Sequence, residues 1–182
     1  KDPDYRLLWR MSKQRLDAEV IRDSMLAVSG QLDRSPRSGS LVAELPSQSV
    51  GIIGLNKNVP QDLDGSLHRS IYLPVLRDEM PDILKLFDFA EPSLVTGRRD
   101  TTNVPSQALY LMNSDFIRAR AEGLARRVAV GDADQAARIE RAFQYCFNRP
   151  PDEVEKGLVA DYFKNAVIAD SGIDERLINF CQ

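Results

Sequence analysis

Two adjacent arginines, several hydroxyls and the start of a helix crowd together in Gly97-Arg98-Arg99-Asp100-Thr101-Thr102-Asn103-Val104-Pro105-Ser106-Gln107. Free backbone N–H groups and the positive end of a helix dipole beside arginine forks suit a carboxylate, a sulfate or a phosphate. Arg98, Arg99, Thr101, Thr102 and Gln107 are therefore the candidate ligand-binding residues. The structural alternative for the same residues is that Thr102 or Asn103 caps the helix while the arginines pair with carboxylates or loop carbonyls. The segment lacks the glycine spacing of a phosphate loop, which weighs toward the structural arrangement.

Candidates for acid–base work are fewer. Asp88 stands between Phe87 and Phe89, a setting that raises a carboxyl pKa when the aromatics bury it, and Asp100 lies beside the arginines. Against this, Asp88 serves equally well as a cap, and no second carboxylate sits at an informative spacing. Arg77-Asp78-Glu79 likewise places charges at an element end. The single histidine, His68, has no second histidine with which to share a metal. Cys146 and Cys181 occur in neither a Cys-x-x-Cys nor a Cys-x-x-Cys-His context, so structural zinc and covalent haem attachment are not expected in this chain. The two cysteines form one disulfide at most; both lie among helical apolar residues, where free cysteine behaves as a small hydrophobe.

The elements that must position these groups follow from composition and periodicity. The 182 residues are 43% hydrophobic and 28% charged, the balance of an ordinary folded protein. A length near that of one domain leads to the expectation of a single domain over 1–182. A net charge of −3 offers no global attraction for phosphate backbones, so nucleic acid is not an expected partner. No apolar run approaches the length of a membrane span. The first residues read as a helix start and the last, Leu177 to Gln182, stop inside an apolar pattern, as in a fragment of a larger multidomain protein.

Asp2-Pro3 opens a helix, and Arg15 to Ser29 carries Leu16, Val20, Ile21, Met25 and Val28 on one face, ended by Gly30. The charged residues Glu19, Arg22 and Asp23 fall opposite that face and are expected to be solvated or packed against a loop. Residues 31–67 form a weakly structured excursion in which only Ser49 to Leu55 suggests a strand. Arg69 to Leu76 reads as a second short strand, limited to an edge by Pro74. A short helix spans Asp82 to Phe87, and an extended loop from Ala90 to Asn103 leads to a helix near Pro105. The stretch 105–182 is the helical C-terminal part. There Ile117, Ala121, Leu124 and Val128 follow the N-cap Ser114, and Gly131 closes that helix. Asp132 and Gln135 then start a helix with Ala136, Ile139, Phe143 and Phe147. Pro150-Pro151-Asp152-Glu153 opens another with Val154, Leu158, Tyr162 and Ala166 as its stripe. Arg118, Arg120, Arg126 and Arg127 read as a solvated face. The fold expected is mainly α, a helical bundle-like domain with a small β element of one or two short strands.

Several strings are distinctive together: Asp2-Pro3-Asp4-Tyr5-Arg6-Leu7-Leu8-Trp9-Arg10-Met11, Arg15 to Asp23, Arg69 to Val75, Phe87-Asp88-Phe89-Ala90, Thr101 to Leu109, Leu111-Met112-Asn113-Ser114 and Arg149-Pro150-Pro151. They resemble the C-terminal part of the planctomycete-specific domain of unknown function, found in large exported proteins that also carry cytochrome-c-like modules. The chain departs from the pattern at Ser12-Lys13, where similar sequences often carry proline. The resemblance implies an exported, periplasmic or cell-surface protein, with haem in a separate module of the parent and no cofactor in this chain. It supplies no catalytic residue.

Two functional readings follow. The first is a non-catalytic binding or interaction module whose partners are other domains of the parent protein. The alternative is an enzyme domain acting on acidic or sulfated carbohydrate, with Arg98 and Arg99 holding the anion and Asp88 or Asp100 as acid or base.

Overall fold

The computed structural model describes residues 6–7, 9, 11, 14–39, 65–73, 75, 80–131, 134–164 and 175–182. Among the described residues seven α-helices and one 3₁₀ turn make up the regular structure, and the fold is mainly α. The first helix, α1 (Ala18–Val28), ends in a Schellman motif: Gln31 N–H bonds Leu26 O and Gly30 N–H bonds Ala27 O. Gly30 has φ 76°, the left-handed conformation that this cap requires and that the sequence placed correctly. The buried row of α1 is not the one expected. Ala18, Arg22 and Leu26 are fully buried, whereas Leu16 and Val20 are exposed.

The strand expected over Arg69 to Leu76 is instead a 3₁₀ turn, Ser70–Tyr72. Tyr72 N–H bonds Arg69 O and Leu73 N–H bonds Ser70 O, and Ser70 N–H is taken by the Asp23 carboxylate, so these amides are spent locally and on α1 rather than on a ladder. Among the described residues the β pairing is one isolated parallel bridge, Asp33 with His68. It joins the two ends of the excursion. The expected strand Ser49 to Leu55, the helix opening at Asp2-Pro3, and Pro74, Leu76, Asp132 and Ala166 lie outside the described residues.

Helix α2 (Asp82–Leu86) is short, and α3 (Pro105–Asn113) starts with proline as expected. The centre of the fold is α4 (Asp115–Val128), whose N-cap Ser114 accepts a hydrogen bond from Phe116 N–H. Its predicted stripe of Ile117, Ala121, Leu124 and Val128 is buried throughout, and the helix packs against α1, α3, α5 and α7. Burying side chains of this size contributes roughly 1.5–3 kcal/mol each for the larger ones.

Helix α5 (Gln135–Phe147) has Asp134 as its N-cap, whose carboxylate accepts from Ala137 N–H. In α6 (Glu153–Lys164) the start is a reciprocal capping box: Asp152 N–H donates to Glu155 and Glu155 N–H to Asp152, both at 2.8 Å. The expected stripe of α6 faces the wrong way. Val154 is 72% exposed and Leu158 67%, while Val159 is buried. Helix α7 (Glu175–Cys181) lays Leu177 and Ile178 against α4. Of the arginines of α4 expected to form a solvated face, Arg126 is exposed and pairs with Glu122 on its own helix, but Arg118 bonds Asn179 and Glu175 of α7, and Arg127 donates to Ala27 O and Val28 O at the end of α1 while lying over the Tyr145 ring. Val28 O lies in the last turn, where a helix leaves carbonyls without an intrahelical partner, and Ala27 O already accepts Gly30 N–H.

Candidate functional site

Asp88 occupies the turn that stops α2. Phe89 N–H bonds Leu84 O across it, and Asp88 itself has φ 64°, a left-handed conformation that aspartate tolerates better than most side chains. From there both carboxylate oxygens reach the far end of the loop. Thr102 N–H donates to one at 2.8 Å and Thr102 Oγ1–H to the other at 2.7 Å, and Arg15 pairs with the carboxylate at 3.2 Å. Asp88 thus fastens the two ends of the 89–102 loop together.

Gln107 completes the same fastening from α3. It is 5% exposed; its amide N–H₂ donates to Leu86 O at 2.8 Å and to Thr102 Oγ1 at 3.4 Å, and its oxygen accepts Val104 N–H. The helix cap is therefore supplied by Gln107 reaching back to Val104, and neither Thr102 nor Asn103 caps it with a side chain. An open depression of about 580 Å³ adjoins this latch, bounded by Arg15, Phe87, Thr101, Asn103 and Leu111.

The middle of the loop is tied to α1. Arg99 grips Glu19 with both guanidinium nitrogens, at 2.6 and 2.8 Å, and stacks 4.9 Å from the centre of the Phe89 ring. Burial alone raises the Glu19 carboxyl, but the hydrogen bonds from Arg99 and from its own backbone, with the Arg99 charge, outweigh it and hold Glu19 below the usual carboxylate range. Arg99 is raised in return by the same pair. Arg98, Asp100 and Thr101 are exposed. Of the residues that the sequence singles out, the structure brings Asp88, Thr102 and Gln107 into one hydrogen-bonded group, sends Arg99 to Glu19, and leaves Arg98 and Asp100 at the surface of the loop.

A second polar group, on the same side of α1 as Glu19, gathers Arg22 and Asp23, which the sequence placed on a face either solvated or packed against a loop. Arg22 is fully buried and donates to His68 O at 3.0 Å, Ser70 Oγ at 3.3 Å and Ser66 O, with its guanidinium 5.5 Å from the Phe116 ring. Next to it, Asp23 accepts from Ser70 N–H at 2.7 Å and Ser70 Oγ–H at 2.6 Å. His68 Nδ1 lies 3.2 Å from Asp33. The signal was present as the i, i+4 row Ala18-Arg22-Leu26, with Ile21 and Met25 beside it; a cation inside an apolar row marks a buried anchor as readily as a solvated face. Among the described residues no group of three or more His, Cys, Asp or Glu side chains is placed to hold a metal ion.

The fold and its two polar latches define a mainly α domain whose long loop and whose 65–73 segment are both tied back to the first helix. Residues 1–163 match the family described as PSD1, a protein of unknown function (DUF1553), and the chain belongs to that family. No curated protein and no solved structure matches the chain.

Proposed function

We propose that this domain is a non-catalytic binding and interaction module of a larger exported protein that also carries cytochrome-c-like modules, with other domains of that protein as its partners. Export and the cytochrome-c association rest on the resemblance carried by the strings in the sequence. The interaction role rests on the outward face of α6. Val154, Leu158 and Tyr162 follow one another at four-residue spacing on one side of the helix, at 72, 67 and 43% exposure. A contiguous apolar row held in water is the signature of a surface that another surface covers. Two of the polar groups that suggested chemistry have structural partners: Asp88 holds Thr102 and Arg15, and Arg99 holds Glu19.

Covalent footprinting tests this reading. Val154, Leu158 and Tyr162 are labelled in the isolated chain and again in the intact parent protein. Protection of all three in the parent, with the exposed loop residue Val95 labelled equally in both, is the expected result. Equal labelling of the α6 row in both contexts removes the basis for the interaction role.

A further inference from the structure

Cys146 lies in the last turn of α5 and Cys181 at the end of α7, far apart in sequence, and both are free thiols. Both helices nevertheless pack against α4. Ala142, one turn before Cys146 on α5, is buried in the same apolar cluster against which Cys181 packs, together with Leu124 and Ile178. Residues four apart share a helix face, so Cys146 continues the α5 face that enters this cluster. We infer that Cys146 and Cys181 are a disulfide-forming pair, which a low-molecular-weight disulfide oxidises to a bond joining the end of α5 to the end of α7.

The acidities of the two thiols agree with that proximity. Burial, and then the charge of Cys146, push the Cys181 thiol up to about 12, and Cys146 is the more exposed of the two. Partial burial raises the Cys146 thiol as well. The order of events follows. The exposed Cys146 thiolate attacks one sulfur of the oxidant, here glutathione disulfide, and releases one glutathione thiolate. Cys181 then loses its proton and attacks the Cys146 sulfur, releasing the second glutathione. Two cysteine thiols and one glutathione disulfide become one protein disulfide and two glutathione thiols. Bonding requires a sulfur–sulfur length near 2.05 Å and closely spaced Cα atoms.

The experiment incubates the native chain with glutathione disulfide at mildly alkaline pH, followed by thiol titration, intact mass and a non-reducing peptide map. The expected product is a monomer lighter by two hydrogens, without titratable thiols, whose map links the Cys146 and Cys181 peptides. Closing a loop of about 35 residues also raises the melting temperature, by roughly 5–10 °C. In Cys181→Ser, Cys146 is expected to stop at the mixed disulfide with glutathione. A stable mixed disulfide on the unsubstituted chain, persistence of both thiols, or a disulfide-linked dimer in place of the internal bond would each overturn the inference.

Discussion

Replacing Arg22 by methionine removes the charge and the donors of α1 while keeping the length of the side chain. The guanidinium makes three hydrogen bonds to the 65–73 segment, to Ser66 O, His68 O and Ser70 Oγ. Bonds from a charged donor contribute about 1.5–3 kcal/mol each, which gives a gross loss of roughly 5–9 kcal/mol. Methionine offsets several kcal/mol of that, because it does not carry the desolvation cost of a fully buried cation. The carbonyls of Ser66 and His68 then lack their donor, at about 1–3 kcal/mol each where water does not reach them. The expected net destabilisation is about 3 kcal/mol, or a fall in melting temperature of roughly 6–12 °C for a domain of this size. Urea denaturation of the two proteins measures it. Hydrogen exchange locates it: the Tyr72 and Leu73 amides, bonded within the 3₁₀ turn, should lose protection while those of α4 keep theirs. A methionine variant within about 0.5 kcal/mol of the original, with the 65–73 amides unchanged, would refute the role of Arg22 as the buried anchor of that segment.

Three further outcomes follow from the same contacts. Glu19→Gln weakens the tie to Arg99 and should cost about 1 kcal/mol at neutral pH, a value reduced because solvent reaches the edge of the pair. Since the folded Glu19 carboxyl is depressed, this stability is present above its unfolded value of 4.5 and is lost as pH falls through the folded one, so the variant and the original should converge in acid melts. Glu155, gripped by Arg149 and by Asp152 N–H, is held at about 2; its carboxyl resonance should titrate there, and Arg149→Ala should move the midpoint back toward an ordinary glutamate. Gly30→Ala forces a β-carbon into a φ of 76° and to 3.3 Å from Arg127 Cδ, so chemical denaturation should show a loss of about 1–2 kcal/mol.

The C-terminal helices were legible because their signals are local. Ser114 caps α4, the spacing of Ile117, Ala121, Leu124 and Val128 selects one face, and nothing in the surroundings competes. Helix α6 has two apolar rows, Val154-Leu158-Tyr162 and Val159-Phe163. Which one is buried depends on where α5 and α7 lie, and that is a tertiary fact no period can carry. The supposed strand at Arg69 to Leu76 failed for a related reason: Ser70 finds its partners on α1, at Asp23 and Arg22, and the local turn that results uses up the amides a ladder would need. In the candidate site, the residue types around Gly97 to Gln107 were read correctly as polar and convergent. What the sequence withheld was their partners, since Glu19 and Asp88 are brought to Arg99 and Thr102 only by the packing of α1 against α2 and α4.

We propose that the polar groups of the 89–107 loop fasten the fold and leave recognition to other surfaces. A thermal-shift titration of the chain with sulfate, phosphate, uronic acids and sulfated sugars tests it most directly. Arg98→Ala is the control, because Arg98 is exposed whereas Arg99 is committed to Glu19. The prediction is no saturable stabilisation beyond the general salt effect, with the variant and the original alike. A saturable rise in melting temperature with one of these anions, abolished in Arg98→Ala, would contradict the claim and make the loop an anion-binding site.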